Sequence, residues 1–550
     1  MTTISGRMYA DMLRGGSGRL AENRQSVNDL NVFPIPDGDT GDNMLMTLDS
    51  GASAAKHAGE RLCDTAKAAS DGMLMGARGN SGVILSRIFS GITGGFEGLE
   101  SADITDFKKS MNEGVKAAYG AVPKPVEGTI LTVFKDAVNY ANENSDSSSG
   151  IKGYFDNLLS EMRRSLERTP DLLPVLSEAG VVDSGGAGLL CIFEGMRDAL
   201  GGIVAEHTAD TGSAGHTNAP DFSLFTSDSV LEFGYCTEFI MRLQKCKTDI
   251  DNFDLQSLIN YLQSVGDSVV AFKEESIVKV HVHTMHPGSL LDYCQQFGEF
   301  LTLKIENMTL QNKKAVATGG NAQEILAKRK RKKVGIVTVA TGEGLKETFK
   351  SLGVDEVVDG GQSMNPSAAE LIDAFDRTNA DKIFVFPNNK NIIMTAKQAA
   401  ELYKKSDVVV VETRTIGEGY TAVSMMDTEA DTESVLAELN EVIAGVMTLT
   451  VSRASKCSQM SGISVKEGDF IGFEKDEILS DGRSREDALE LMLEKRPIEN
   501  YGVMMILIGQ DTDKAAAKEI CDKLQKKYKS TEIISIDGGQ PIYDYIAVLT

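Results

Sequence analysis

The residues best equipped for chemistry lie near the start of the chain, in Asn31-Val-Phe-Pro-Ile-Pro-Asp-Gly-Asp-Thr-Gly-Asp-Asn43. Asp37, Asp39 and Asp42 fall within six residues, separated by Gly38 and Gly41. Carboxylates this close repel one another unless a cation sits between them. Their hard oxygens suit Mg²⁺, with Mn²⁺ or Ca²⁺ as alternatives. The spacing is not that of an EF-hand: Gly41 stands at that loop's third acidic position, Asp42 at its glycine and Leu48 at its bidentate glutamate. The competing reading is an acidic turn that caps a helix beginning near Asn43.

Three glycine-rich loops accompany it. Gly76-Ala-Arg-Gly-Asn-Ser-Gly82 runs into an apolar helical pattern. Small residues there let backbone N–H groups approach a ligand, and the helix N-terminus adds a positive dipole, which together make a phosphate site. A structural turn is the alternative. Lys124-Pro-Val-Glu-Gly-Thr-Ile130 and Val182-Asp-Ser-Gly-Gly-Ala-Gly188 are similar. With the acidic loop, they point to a nucleotide held by helix ends rather than by a Rossmann sheet. A second cluster is Val280-His-Val-His-Thr-Met-His286, which holds three of the six histidines. His281 and His283 share one face of a strand, because strand side chains alternate. With Cys236 they form a possible Zn²⁺ set; two buried, hydrogen-bonded imidazoles and a core thiol are the alternative.

The elements that must position these groups follow from apolar periodicity. Met8–Leu30, Asn43–Lys56, Asp64–Met75, Gly82–Gly91, Thr105–Tyr119, Ile130–Asn142, Ile151–Leu166 and Ala187–Leu200 have helical spacing. The residues around the histidines read β-α-β-β-α-β, the ferredoxin-like order. From Val334 short β-branched runs alternate with helices. Asp359-Gly-Gly-Gln-Ser-Met-Asn-Pro366 is echoed by Asp537-Gly-Gly-Gln-Pro541, which implies two lobes on one plan. The expected domains are 1–205, helical; 223–311, α+β; and 334–550, α/β. Residues 206–222 and 312–333 are expected linkers, the second ending in Lys328-Arg-Lys-Arg-Lys-Lys333.

The net charge of −24 over 550 residues argues against broad nucleic-acid binding. Seven cysteines without a C-x-x-C pair suit a reducing cytosol, so a cytoplasmic location is expected. No apolar run is long enough to span a bilayer.

The four loops, together with Lys279-Val-His-Val-His-Thr284, Gly360-Gly-Gln-Ser-Met-Asn-Pro366 and Pro387-Asn-Asn-Lys-Asn391, carry a resemblance. The first domain looks like the nucleotide-binding domain of dihydroxyacetone kinases. The chain as a whole resembles the catalytic, ATP-binding subunit of bacterial fatty acid kinase. The resemblance implies an antiparallel eight-helix barrel holding ATP and two Mg²⁺, the α+β middle domain with Zn²⁺ on Cys236, His281 and His283, and a DegV-like last domain. Asp37 and Asp39 match the family's metal ligands. Asp42, a third candidate, stands where many relatives have a small neutral residue. Thr40, Asn43, Gly79, Asn80, Ser81, Gly82, Thr129 and Asp183 match nucleotide-contacting positions. Arg78 is a candidate for transition-state charge, or else pairs with a nearby carboxylate. The implied partner is a DegV-family carrier of fatty acid, docked on the last domain while flexible linkers let the kinase domain swing to it. The implied product is an acyl phosphate for phospholipid synthesis, made by a homodimer. A kinase of a small alcohol such as dihydroxyacetone, and a non-catalytic fatty-acid-binding scaffold, are the alternatives.

Protein purified without added metal is expected to contain about one Zn²⁺ per chain by elemental analysis. Zinc that is absent, or that survives His281→Ala combined with His283→Ala, would favour the core-histidine alternative.

Overall fold

The computed structural model describes residues 3–31, 38–56, 58–122, 124–146, 148–203, 235–250, 253–274, 276–307, 331–361, 365–428, 430–460 and 462–550. Two compact units result: Met1–Thr211 together with Arg331–Thr550, and Gly212–Lys330.

The N-terminal part is helical: α1 (Gly6–Asp29), α2 (Thr40–Ala55), α3 (Leu62–Gly76), α4 (Gly79–Gly95), α5 (Ile104–Gly120), α6 (Ile130–Asn144), α7 (Gly150–Glu167), the short α8 (Thr169–Leu172) and α9 (Pro174–Ala179), and α10 (Ser184–Leu200). A two-residue ribbon pairs β1 (Ile4–Ser5) with β2 (Ser101–Ala102). Each of the eight periodic segments is a helix, but α2, α4 and α10 begin three residues earlier than the apolar pattern. Glycine and asparagine are weak helix formers, so propensity hides these first turns. A local cap and a tertiary bond secure two of them: the Asp183 carboxylate accepts from Gly186 N at 2.7 Å at the start of its own helix, and Gly41 N donates to Asn28 Oδ1 of α1 at 2.7 Å. Phe193 on α10 is central to the core, with ring centroids 5.9 Å from Phe134, 6.1 Å from Phe155 and 6.5 Å from Phe89. Helices α1 and α10 meet backbone to backbone at Gly15 and Gly195, where a Cβ on Gly195 would lie 2.1 Å from Gly15 O.

The middle unit is a four-stranded antiparallel sheet with two helices. Its elements are β3 (Tyr235–Leu243), α11 (Leu255–Val265), β4 (Gly266–Glu274), β5 (Ile277–Thr284), α12 (Pro287–Gln295) and β6 (Gly298–Asn307), in the strand order β4-β5-β3-β6. Val278, Val280 and Val282 are buried with Phe239 and Met241. Cys236, His281 and His283 fall at the intervening strand positions, with Cys236 in register with His283. Their side chains lie outside the described residues.

The C-terminal part holds two sheets. The first is parallel, built from β7 (Lys332–Ala340), β8 (Glu356–Asp359), β9 (Ala380–Phe386) and β10 (Asp407–Val410) in the order β10-β9-β7-β8. The second is six-stranded and mixed, with Met447–Arg453 and Tyr543–Leu549 at its centre. The basic run reaches into β7: Arg331 Nε donates to Asp381 at 2.5 Å, and Lys332 pairs with Asp355.

The N- and C-terminal parts are packed together, which corrects the expectation that linkers leave one free to swing over the other. Gln398, 1% exposed, donates to Leu74 O at 2.6 Å and accepts from Arg87 Nε at 3.2 Å. Arg87 also pairs with Glu401, and Ala368 N donates to Ala77 O at 3.2 Å. Linker composition speaks only to the linker; the directional bonds across the joint come from residues far apart in sequence.

Gly195→Ala is expected to destabilise by about 2 kcal/mol or more, because backbone atoms on both helices must shift. Gly94→Ala, at an exposed α4 position with nothing within 4 Å of the new methyl, should be neutral or slightly stabilising. Thermal unfolding of the two variants decides; equal midpoints would contradict the close helix crossing.

Candidate active site

Four helix N-termini converge: those of α2, α4, α6 and α10. Ser184 Oγ donates to Thr40 Oγ1 at 3.2 Å, which joins α10 to α2, and Thr40 Oγ1 donates to Asn31 Oδ1 at 3.1 Å. A Cβ on Gly79 would lie 2.6 Å from Asn43 Nδ2, so α4 abuts α2 there. A Cβ on Gly185 would lie 3.2 Å from Ile130, bringing α10 to α6. Gly79 has φ of +57°, a conformation that favours glycine, and a side chain there has no room. The first N–H groups of an α-helix have no partner within it. With the aligned dipoles they make this convergence favourable for anions.

At the centre stands Asp39, the residue before α2. Burial pushes its carboxyl up to about 6, and neighbouring Asp42 adds to the rise, while hydrogen bonds from Asn43 and Asn365 oppose it. Asn365 Nδ2 donates to Asp39 Oδ2 at 2.5 Å. Asp183 caps α10 and is likewise pushed up to about 6 by burial. Asp42 points elsewhere: its carboxylate accepts from Asn28 Nδ2 at 2.6 Å and lies 3.3 Å from Arg24 Nη1. Arg78 is engaged by the C-terminal part, with Nη1 3.0 Å from Glu370 and 2.7 Å from Asn365 O. That is the carboxylate pairing set as the alternative to a transition-state role. Asn80 Nδ2 donates to Asn391 Oδ1 at 3.4 Å, while Asn80 Oδ1 is buried without a partner. Ser81 is half-buried beside it, and Gly82 N donates to Arg78 O at 3.1 Å. Thr129 stands before α6 without a side-chain capping bond, and its hydroxyl donates to Val126 O at 2.8 Å.

Asp39, Thr40, Asn43, Gly79, Asn80 and Asp183 are therefore gathered at one convergence, while Asp37 lies outside the described residues. Among the described residues no group of three or more His, Cys, Asp or Glu is arranged to hold a metal. Sequence reasoning missed Asn28, which ties Asp42 and Gly41 to α1, and the two asparagines Asn365 and Asn391. Both asparagines stand in motifs quoted for the resemblance, but nothing in one sequence says that they approach residues so distant along the chain.

The C-terminal part also encloses a cavity of about 460 Å³ between its two sheets. Gly360, Gly361, Gln540 and Pro541, from the two copies of the Asp-Gly-Gly-Gln motif, line it. Asn389 and Gln540 on its wall each keep a buried polar atom without a partner.

Residues 34–198 match the DAK2 domain model, so the helical convergence is that of a DAK2 domain. Residues 232–315 match the middle-domain model of the FakA-like fatty acid kinase family, and 335–549 match its C-terminal model. Protein YloV of Bacillus subtilis is 38% identical over 555 residues, and an uncharacterised protein of Staphylococcus epidermidis 36% over 551, each comparison covering 99% of both chains. The chain belongs to the FakA-like family of fatty acid kinase subunits. Among solved structures, it is similar to DegV, a fatty acid binding protein from Bacillus subtilis, at 14% identity and TM-score 0.32, over 40% of this chain and 99% of that one. It is also similar to the dihydroxyacetone kinase from C. freundii in complex with AMP-PNP and Mg²⁺, at 18% identity and TM-score 0.27, over 34% of this chain and 33% of that one.

Asp42→Asn is expected to cost at most about 1 kcal/mol of stability, since the ion pair it removes is half exposed, and to leave Mg²⁺ affinity unchanged. A tenfold weaker Mg²⁺ dependence of nucleotide binding, measured by calorimetry, would make Asp42 the metal ligand that its sequence position suggests.

Proposed function

We propose that this protein is an ATP-dependent kinase that phosphorylates a fatty acid carboxylate, presented by a DegV-family carrier protein, to give an acyl phosphate for phospholipid synthesis. The observation that supports the reading most is the convergence of four helix N-termini beside the buried Asp39, in a chain of the FakA-like fatty acid kinase family. The donor chemistry fits magnesium: the Asp39 carboxylate and the buried, unpartnered Asn80 Oδ1 are hard oxygens. Mg²⁺ bound there neutralises phosphate charge.

The chain's own residues do the rest. Asp37 and Asp39 would hold the cation, which would supply charge neutralisation for the nucleotide's phosphates. The N–H groups of Gly79, Asn80 and Ser81, with the α4 dipole, take phosphate oxygens. Thr40, Asn43, Gly82, Thr129 and Asp183 complete the nucleotide's surroundings. A fatty carboxylate has a pKa of roughly 4–5, like Glu, and arrives already ionised. It has no proton to surrender, so no strong general base is required. Its oxygen attacks the γ-phosphorus, the bond from that phosphorus to the β–γ bridging oxygen breaks, and ADP leaves with that electron pair. Positioning two mutually repelling anions in line is the whole task.

The middle unit is read as a ferredoxin-like domain holding Zn²⁺ on Cys236, His281 and His283, in line with the register of β3 with β5. The helical part is read as the eight-helix barrel of its family, and the active form as a cytoplasmic homodimer. Among the described residues no helix is long and apolar enough to cross a membrane. The lipid tail costs about 0.8 kcal/mol per CH₂ in water, which is why a carrier that hides the tail and offers the head group suits this chemistry.

ATP turnover should appear with acyl-loaded carrier and stay at background with dihydroxyacetone; turnover with dihydroxyacetone alone, or with none of the substrates, would replace this reading with one of the alternatives. Asp37→Asn and Asp39→Asn should each abolish transfer while leaving the helical circular dichroism unchanged. Retained turnover at saturating Mg²⁺ in both variants would remove the carboxylates from the mechanism.

A further inference from the structure

We propose that the docked C-terminal domain is an internal competitor for the nucleotide site: residues 365–370 occupy Asp39 and Arg78 with the polarities of a magnesium–nucleotide, so the ligand binds only when the two domains separate. The inference rests on the reading of Asp39 as a magnesium–nucleotide residue. It adds a closed state in which the site, complete within the helical domain, is filled by the chain itself.

The bonds that join the domains here land on the candidate site residues themselves. Asn365 Nδ2 donates to Asp39 Oδ2 at 2.5 Å and to Asn43 Oδ1 at 3.4 Å. Asn391 Oδ1 accepts from Asn80 Nδ2 at 3.4 Å. Arg78 Nη1 donates to Asn365 O at 2.7 Å and lies 3.0 Å from the Glu370 carboxylate, on the helix that follows (Ala368–Thr378). Two polarities result. An electropositive amide N–H meets the acid that would take a cation, and a carboxylate meets the guanidinium that would face phosphate charge. A Cβ on Gly79 would lie 3.1 Å from Asn365 Nδ2. One nitrogen therefore stands against both the buried acid and the glycine whose N–H is read as taking phosphate. Asn365 is 2% exposed. Its amide sits where bulk water, and with it a hydrated cation, does not reach.

Closure carries its own penalty, which keeps it reversible. Asn365 Oδ1 and Asn80 Oδ1 are each buried without a partner, and a buried acceptor without a donor is unfavourable. The Glu370 side chain is half exposed, and ion pairs open to water contribute little.

A competitor is told from a completing residue by the sign of its effect. A ligand that binds only the open form has its affinity reduced by the fraction open, so weakening the joint anywhere tightens binding. Gln398 is the remote handle on the joint. Its bonds go to Leu74 O, Ser86 and Arg87, none of them a candidate site residue.

In the full-length protein, calorimetry should show the affinity for Mg²⁺–AMP-PNP rising about threefold or more in Gln398→Ala and in Asn365→Ala, and further in the double variant. Small-angle X-ray scattering should show the radius of gyration of wild type growing on saturation with Mg²⁺–AMP-PNP, and the double variant already expanded without it. An affinity unchanged or lowered in either single variant, or wild-type scattering that saturating nucleotide leaves unaltered, would overturn the proposal and leave the nucleotide reading standing. If neither wild type nor the double variant takes up Mg²⁺–AMP-PNP, the nucleotide reading itself falls, and the competition with it.

Discussion

A carboxylate held out of water needs donors and dipoles around it, and the placement of Asp39 is the constraint to which the helical domain answers. Desolvation foremost, with Asp42 adding to it, pushes its carboxyl up to about 6. The domain offsets this by aiming helix N-termini at one place, and that demands close approach between helices. Gly41 packs against Arg24 O of α1, Gly82 against Thr47, Gly79 against Asn43, and Gly188 against Met44. In each case a Cβ would fall under 3 Å from its neighbour. The glycines that look like loop residues in the sequence are spacers that let helix ends crowd an acid.

The C-terminal domain answers to the same constraint from outside. It meets the helical domain through directional polar bonds: Gln398 on Leu74 O, Arg87 on Gln398 and Glu401, Lys456 on the carbonyls of Asp29 and Asn31. These bonds fix orientation more than they supply adhesion, since exposed ion pairs such as Arg87–Glu401 contribute under about 1 kcal/mol. A whole folded unit intervenes between the two partners in sequence. Closure entropy grows only with the logarithm of loop length, so the insertion weakens their association little.

How much of this was legible in the sequence follows from what local patterns encode. Eight helices, the β-α-β-β-α-β order of the middle unit and the first four strands of the C-terminal sheet are all visible in apolar period, because burial on one face is a local signature. Helix starts at Gly79 and Ser184 were not: Arg78 makes no side-chain cap, and the bond from Gly186 N to the Asp183 carboxylate is a local signal that the apolar period does not carry. The acidic and glycine loops flagged the site, since their composition is costly anywhere else. The contribution of Asn365 and Asn391 was invisible: an amide carries no charge pattern and no period, and its meaning lies wholly in which distant residue it meets.

The internal echo explains how a C-terminal domain comes to reach a kinase site. Both Asp-Gly-Gly-Gln copies follow a strand and line the cavity between the sheets through Gly360, Gly361, Gln540 and Pro541. The second copy ends at once in Pro541 and returns to the strand Tyr543–Leu549. The first continues through Asn365 to the helix at Ala368, and it is that continuation which meets Asp39. Gly361 and Asn365 are four residues apart, a reach of at most about 14 Å for extended chain. The wall of the cavity and the amide on the buried acid are thus parts of one short connection. The lengthened copy, not the lobe as a whole, is what distinguishes the half of the domain that touches the kinase from the half that does not.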